Sequence, residues 1–103
     1  MARILIIDDD AAFRMTLQAT LRSLGHAVVA ADNGPDGLER LSEGGIDMAF
    51  VDFRMPGMDG IAVLHARLQD AQARQVPLVM LTAHVSSGNT IEAMTLGALD
   101  HLI

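Results

Sequence analysis

An alternation of two periods constrains this chain more than any other feature. Compact apolar runs occur at Arg3–Ile7, Ala27–Ala31, Met48–Asp52 and Leu78–Thr82, and His101–Ile103 begins another. Between them, apolar residues recur every three or four positions, the spacing of one helical face. The runs are strand-sized. The first, third and fourth are apolar along their length instead of alternating, as parallel strands covered on both faces are. The order β-α-β-α-β-α-β-α-β predicts a doubly wound α/β fold with right-handed crossovers.

The helical stretches carry their own punctuation. Phe13, Leu17, Leu21 and Leu24 follow at helical spacing, with Gly25 as the stop. Asn33 is suited to cap a short helix carrying Leu38 and Leu41, with Pro35 in its first turn. Asp59 is suited to cap another, with Ile61, Leu64 and Leu68 inward. A further helix is expected from Ser86 or Ser87, with Ile91 and Met94 inward and a stop near Gly97. The seven methionines read as core filler.

Composition removes several function classes. A chain of 103 residues, 50% hydrophobic, suits one domain with its own core. Without cysteine there are no disulfides or thiolate metal sites, and an intracellular setting is favoured. No apolar run approaches the roughly 20 residues that span a bilayer. The start, MARILIIDDD, is no signal peptide, because three acids follow a short apolar run. A net charge of -6 repels phosphate backbones, and with no Trp or Tyr the chain lacks platforms for stacking bases.

In a doubly wound sheet, ligands sit beyond the carboxyl ends of the strands, where strand order reverses. Strand one ends in Asp8, Asp9 and Asp10, strand three in Asp52, and strand four in Thr82. If the strand order is 2-1-3-4-5, these three strands are neighbours about 4.8 Å apart. A lone strand-end Asp is usually a turn former or helix cap, and Asp10 is best read as the cap of the first helix. Two further acids exceed what a cap requires. At about 5 Å and an effective dielectric near 20, each carboxylate pair costs about 3 kcal/mol. Such a cluster holds either a proton or a cation. An oxygen-only donor set with room for water and phosphate suits Mg2+. With a metal, a free carboxylate and a hydroxyl, the site is equipped for phosphoryl transfer, with Asp52 as nucleophile and Thr82 donating to a phosphoryl oxygen.

The stretches ILIIDDD, VDFRMPGMDG, VMLTAH and GALDHLI, in this order along the whole chain, resemble the motifs of the receiver domain of two-component response regulators. The resemblance implies a flavodoxin-like five-stranded sheet in the order 2-1-3-4-5. It implies that Asp52 accepts a phosphoryl group from a sensor histidine kinase and that Mg2+ is the cofactor. Asp9 would be the direct metal ligand, Asp8 the acid assisting it, and the backbone carbonyl of Arg54 a third protein ligand. Thr82 matches the hydroxyl that follows the phosphoryl group, Ala83 the small residue that keeps the site accessible, and His101 the switch position. Pro56, Gly57 and Gly60 match the turn after the acceptor. Arg54 and His84 lie where side chains influence access of water to the acyl phosphate. The family's Lys and fifth helix would follow Ile103, so residues 1–103 are expected to be a receiver domain lacking its fifth helix and C-terminally incomplete.

The implied protein is a cytoplasmic regulatory phosphoacceptor, not an enzyme beyond assisting its own phosphorylation and dephosphorylation. Its implied partners are the kinase, an attached effector domain or downstream protein (transcription regulation being one output), and a second copy in a homodimer. Other readings fit less well. A haloacid-dehalogenase-type phosphatase would want an acid where Arg54 stands. A flavodoxin-like mononucleotide binder would not place three acids after strand one. A degenerate receiver, acting as an unphosphorylated interaction module, sits poorly with a complete acid set.

Overall fold

The computed structural model of the chain describes residues 1–81 and the backbone of a strand at 98–102. In chain order the elements are β1 (Arg3–Ile7), α1 (Ala11–Ser23), β2 (Ala27–Ala31), α2 (Gly34–Glu43), β3 (Met48–Asp52), α3 (Gly60–Arg67), a 3-10 turn at Ala73–Gln75, β4 (Leu78–Leu81) and β5 (Ala98–Leu102). The five strands form one sheet, all pairs parallel, in the order β2-β1-β3-β4-β5. This is the doubly wound architecture expected from the alternation, in the flavodoxin-like strand order that the resemblance implies.

The helix starts are set by the side chains expected to cap them. Asp10 accepts from the Phe13 N–H at 3.1 Å, Asn33 from the Asp36 N–H at 2.8 Å, and Asp59 from the Ala62 N–H at 2.9 Å. Each acceptor satisfies an N–H that the first helical turn leaves unpaired. Pro35 occupies the first turn of α2, where its missing N–H costs nothing.

A contiguous core of described residues lies between the sheet and α2 and α3. It joins Leu5, Ile7, Ala49, Val51, Leu78 and Met80 of the strands to Leu41, Val63 and Leu64 of the helices. Alternate strand residues face the other side. There Ile4, Ile6, Val79 and Leu81 are also buried, which is why strands one and four read as continuous apolar runs. Met55 and Met80 are core residues, as expected, but Met1 and Met15 are exposed.

Two expectations need correction, the start of β5 and the burial of Leu68. β5 begins at Ala98, not His101, because its pairing row runs from Leu78↔Ala98 to Leu81↔Leu102. α1 buries no residue: Leu17 and Leu21 are half-buried, while Phe13 is 45% and Leu24 67% exposed. It packs against β1 and β2. In α3, Leu68 is exposed, and Val63 takes the inward place beside Leu64. The helix expected to carry Ile91 and Met94 lies outside the described residues.

Candidate functional site: an acidic cluster at the carboxyl edge of the sheet

The parallel register decides which acids meet. Ile7 is paired with Val51, so the residues that follow, Asp8 and Asp52, leave adjacent strands side by side. Carboxylate oxygens of Asp8, Asp9 and Asp52 all lie within 4.8 Å of one another. Asp8 is only 3% exposed, Asp52 is half-buried and Asp9 is exposed. Asp10, by contrast, is spent on capping α1, as the sequence suggested.

Each acid is held by backbone. The Asp8 N–H donates to the Ala31 carbonyl at 3.1 Å, and an Asp8 carboxylate oxygen accepts from the Asp10 N–H at 2.9 Å. Asp52 accepts from the Arg54 N–H at 3.2 Å. Beyond Asp52, the Phe53 N–H donates to the Leu81 carbonyl at 2.8 Å, and the Gly60 N–H to the Phe53 carbonyl at 3.0 Å. These bonds fold the loop back against the strand end.

Two glycines make that loop feasible. Gly57 has φ +81°, a conformation that side chains disfavour, and it turns the chain after Pro56. At Gly60 a Cβ would lie 2.6 Å from the Asp52 carbonyl oxygen and 3.0 Å from the Phe53 Cα. Only a glycine lets α3 start so close to the acidic strand end. The loop also lines a surface cleft of about 300 Å3 bounded by Arg54, Met55, Pro56 and Asp59.

The electrostatics are unfavourable for three bare carboxylates. Burial pushes the Asp52 carboxyl up to about 6, opposed by the Arg54 N–H and reinforced by the charge of Asp8 and by Asp9. Asp8 is also raised, first by burial and then by the charges of Asp9 and Asp10, with hydrogen bonds from Asp10 and Asp52 working against the rise. Among the described residues, no arginine or histidine pairs with these acids. A hard divalent cation is the species that three converging carboxylates fit, because oxygen donors match it and its charge relieves their repulsion.

Thr82, Ala83, His84 and the side chain of His101 lie outside the described residues. The backbone of His101 is in β5, paired with Met80. One residue at the site, and a second role of another, escaped the sequence reading. Arg14 donates from Nη1 to the Asp8 carbonyl at 2.8 Å. Asp8 anchors the Asp10 N–H in addition to joining the cluster. The signal for Arg14 was a cation one turn into the helix that follows the acids, which reads equally well as surface charge.

The chain belongs to the response regulator receiver domain family, whose model matches residues 4–103. It is 40% identical over 100 residues to the transcriptional regulatory protein ZraR of Escherichia coli K12, covering 97% of this chain and 22% of that protein. The chain therefore spans about a fifth of that regulator. It is 35% identical over 102 residues to the chemotaxis protein CheY of Pseudomonas aeruginosa, covering 98% of this chain and 82% of that one. Among solved structures, CheY4 of Vibrio cholerae superposes with a TM-score of 0.92 at 31% identity, over 100% of this chain and 86% of that one. The receiver domain of the sensor histidine kinase PA1611 of P. aeruginosa, which has a magnesium ion coordinated in its active site cleft, superposes with a TM-score of 0.87 at 27% identity. That match covers 98% of this chain and 83% of the other.

Proposed function

We propose that this chain is a phosphoacceptor switch, with Asp52 receiving a phosphoryl group from a phosphohistidine of a sensor kinase. The observation that carries this reading is the convergence of Asp8, Asp9 and Asp52 within 4.8 Å, with no cationic partner among the described residues. A carboxylate oxygen of Asp52 attacks phosphorus as the bond to the donor imidazole breaks. The electron pair leaves with the imidazole nitrogen, which takes up a proton. Asp8, Asp9 and Asp52, with the carbonyl of Arg54, would hold Mg2+, and a bound Mg2+ supplies positive charge against the carboxylates and the transferring phosphoryl oxygens. The Arg54 N–H holds one Asp52 oxygen, which orients the carboxylate before transfer.

Thr82 then donates to a phosphoryl oxygen, Ala83 keeps the approach open, and the side chain of His101 takes up the space that Thr82 vacates. Two states with different contacts are what a switch of this kind needs. The likeness to ZraR supports an output in transcription regulation through an attached effector domain, and the likeness to CheY supports a free-standing partner. A cytoplasmic location follows from service to such a kinase. No described helix is long and apolar enough to cross a membrane.

The test is incubation of the protein with acetyl phosphate and Mg2+, followed by intact-mass measurement. A single hydroxylamine-labile phosphoryl group, lost in Asp52→Asn and in EDTA, is expected. Equal labelling of Asp52→Asn would refute the assignment.

A further inference from the structure

Asp9 is the exposed member of the cluster, and its carboxylate shares a hydrogen bond with that of Asp52. Its position is set by the two peptide groups that flank it. The peptide after it is fixed by the Asp10 N–H, which donates to the Asp8 carboxylate at 2.9 Å. The peptide before it carries the Asp8 carbonyl, which accepts from Arg14 Nη1 at 2.8 Å. Arg14 sits early in α1, where side chains tilt back toward the helix N-terminus. It therefore reaches six residues upstream across the loop. Its own N–H donates to the Asp10 carbonyl at 2.9 Å, so one residue grips the carbonyls on both sides of Asp9.

We propose that Arg14 is a positioning residue for the acidic site: by holding the Asp8–Asp9 peptide in one orientation, it aims Asp9 at the cation shared with Asp8 and Asp52. This rests on the metal-binding reading above. The guanidinium serves the backbone and forms no ion pair with the acids. Without it, the Asp8–Asp9 peptide loses its only side-chain restraint among the described residues. Asp9 would then spread over orientations of which few face Asp52, and cation binding must select the competent ones.

The sign of the effect separates positioning from charge. Removing a nearby positive charge would, alone, tighten binding of a cation. Removing a restraint weakens it. The experiment measures Mg2+ affinity by isothermal titration calorimetry for the full-length wild type and for Arg14→Met, which keeps the aliphatic stem and deletes the donors. Melting temperature in EDTA is measured alongside. About tenfold weaker Mg2+ binding is expected, with a melting temperature in EDTA within a few degrees of wild type. Unchanged or tighter binding by Arg14→Met overturns the proposal and leaves the phosphoacceptor reading standing. Absence of Mg2+ binding by the wild type overturns both. A melting temperature in EDTA that collapses makes Arg14 a residue of general stability and overturns the positioning role. If Arg14→Met does not fold, Arg14→Lys, which keeps the charge and one donor, is measured in the same way. Weaker binding then supports the proposal and unchanged binding overturns it.

Discussion

Asp52→Asn should stabilise the metal-free protein. The substitution keeps the shape of the side chain and removes one of three charges lying within 4.8 Å of one another. The Asp52 carboxyl stands at about 6 in the folded protein against an ordinary 3.8, so the folded state holds its proton more tightly than the unfolded state does. Stability is therefore lost as pH rises through 3.8 toward 6, and the loss is complete above that window. The full displacement corresponds to about 3 kcal/mol. Water reaches this half-buried group and screens its neighbours, which leaves about 1.5 kcal/mol. At pH 5, inside the window, about half of that remains. In a domain of about 100 residues, 1 kcal/mol moves the melting temperature by about 4–8 °C. In EDTA at pH 8, Asp52→Asn is therefore expected to melt roughly 6–12 °C above wild type, and by about half that margin at pH 5. Saturating Mg2+ should close or reverse the gap, because the ion stabilises the wild type through linkage. Thermal melts followed by circular dichroism decide it. A variant no more stable than wild type at pH 8, or a margin that widens toward pH 5, would refute the electrostatic reading.

Two neighbouring acids should separate by role. Asp9→Ala is expected to lower Mg2+ affinity by at least tenfold while leaving stability in EDTA unchanged or higher. Asp10→Ala should cost about 1 kcal/mol through loss of the α1 cap, with a much smaller effect on Mg2+; calorimetry and urea unfolding check both. Gly60→Ala should destabilise by about 1–3 kcal/mol, because the added methyl meets backbone of Asp52 and Phe53 that cannot swing aside. An unchanged urea midpoint would contradict that packing argument.

The strands and the acidic cluster were legible because strand-end chemistry in a parallel sheet is written locally. Asp8 and Asp52 each follow an apolar run, and register alone brings them together. The caps Asp10, Asn33 and Asp59 were legible for the same reason. Spacing tells which residues share a helical face but not what that face meets, so the exposure of Phe13 and Leu24 was not legible. β5 was read too short because Ala98-Leu99-Asp100 after a glycine looks like a loop until β4 supplies its pairing partner. Arg67 was invisible as a core residue. It reads as a basic residue ending α3, yet it is 3% exposed and its Nη1 donates to the Arg74 carbonyl at 2.8 Å, tying α3 to the turn before β4. Such a bond depends on where two segments land, which no local pattern encodes.

The uneven anchoring of the helices has a consequence for how the molecule breathes. α2 and α3 are riveted to the sheet by Leu41, Val63 and Leu64, all fully buried, whereas α1 has no buried side chain. Segments with few buried contacts open by themselves, well below the energy of global unfolding. In residues 1–103 taken alone, amide protons of α1 should therefore exchange in a separate, lower-energy opening than those of α3. Arg14 and the Asp10 cap lie on that looser segment, while Asp52 extends from the rigid one. One wall of the acidic site is then a fixed edge, and the opposite wall is a latch that unfastens whenever the first helix lifts.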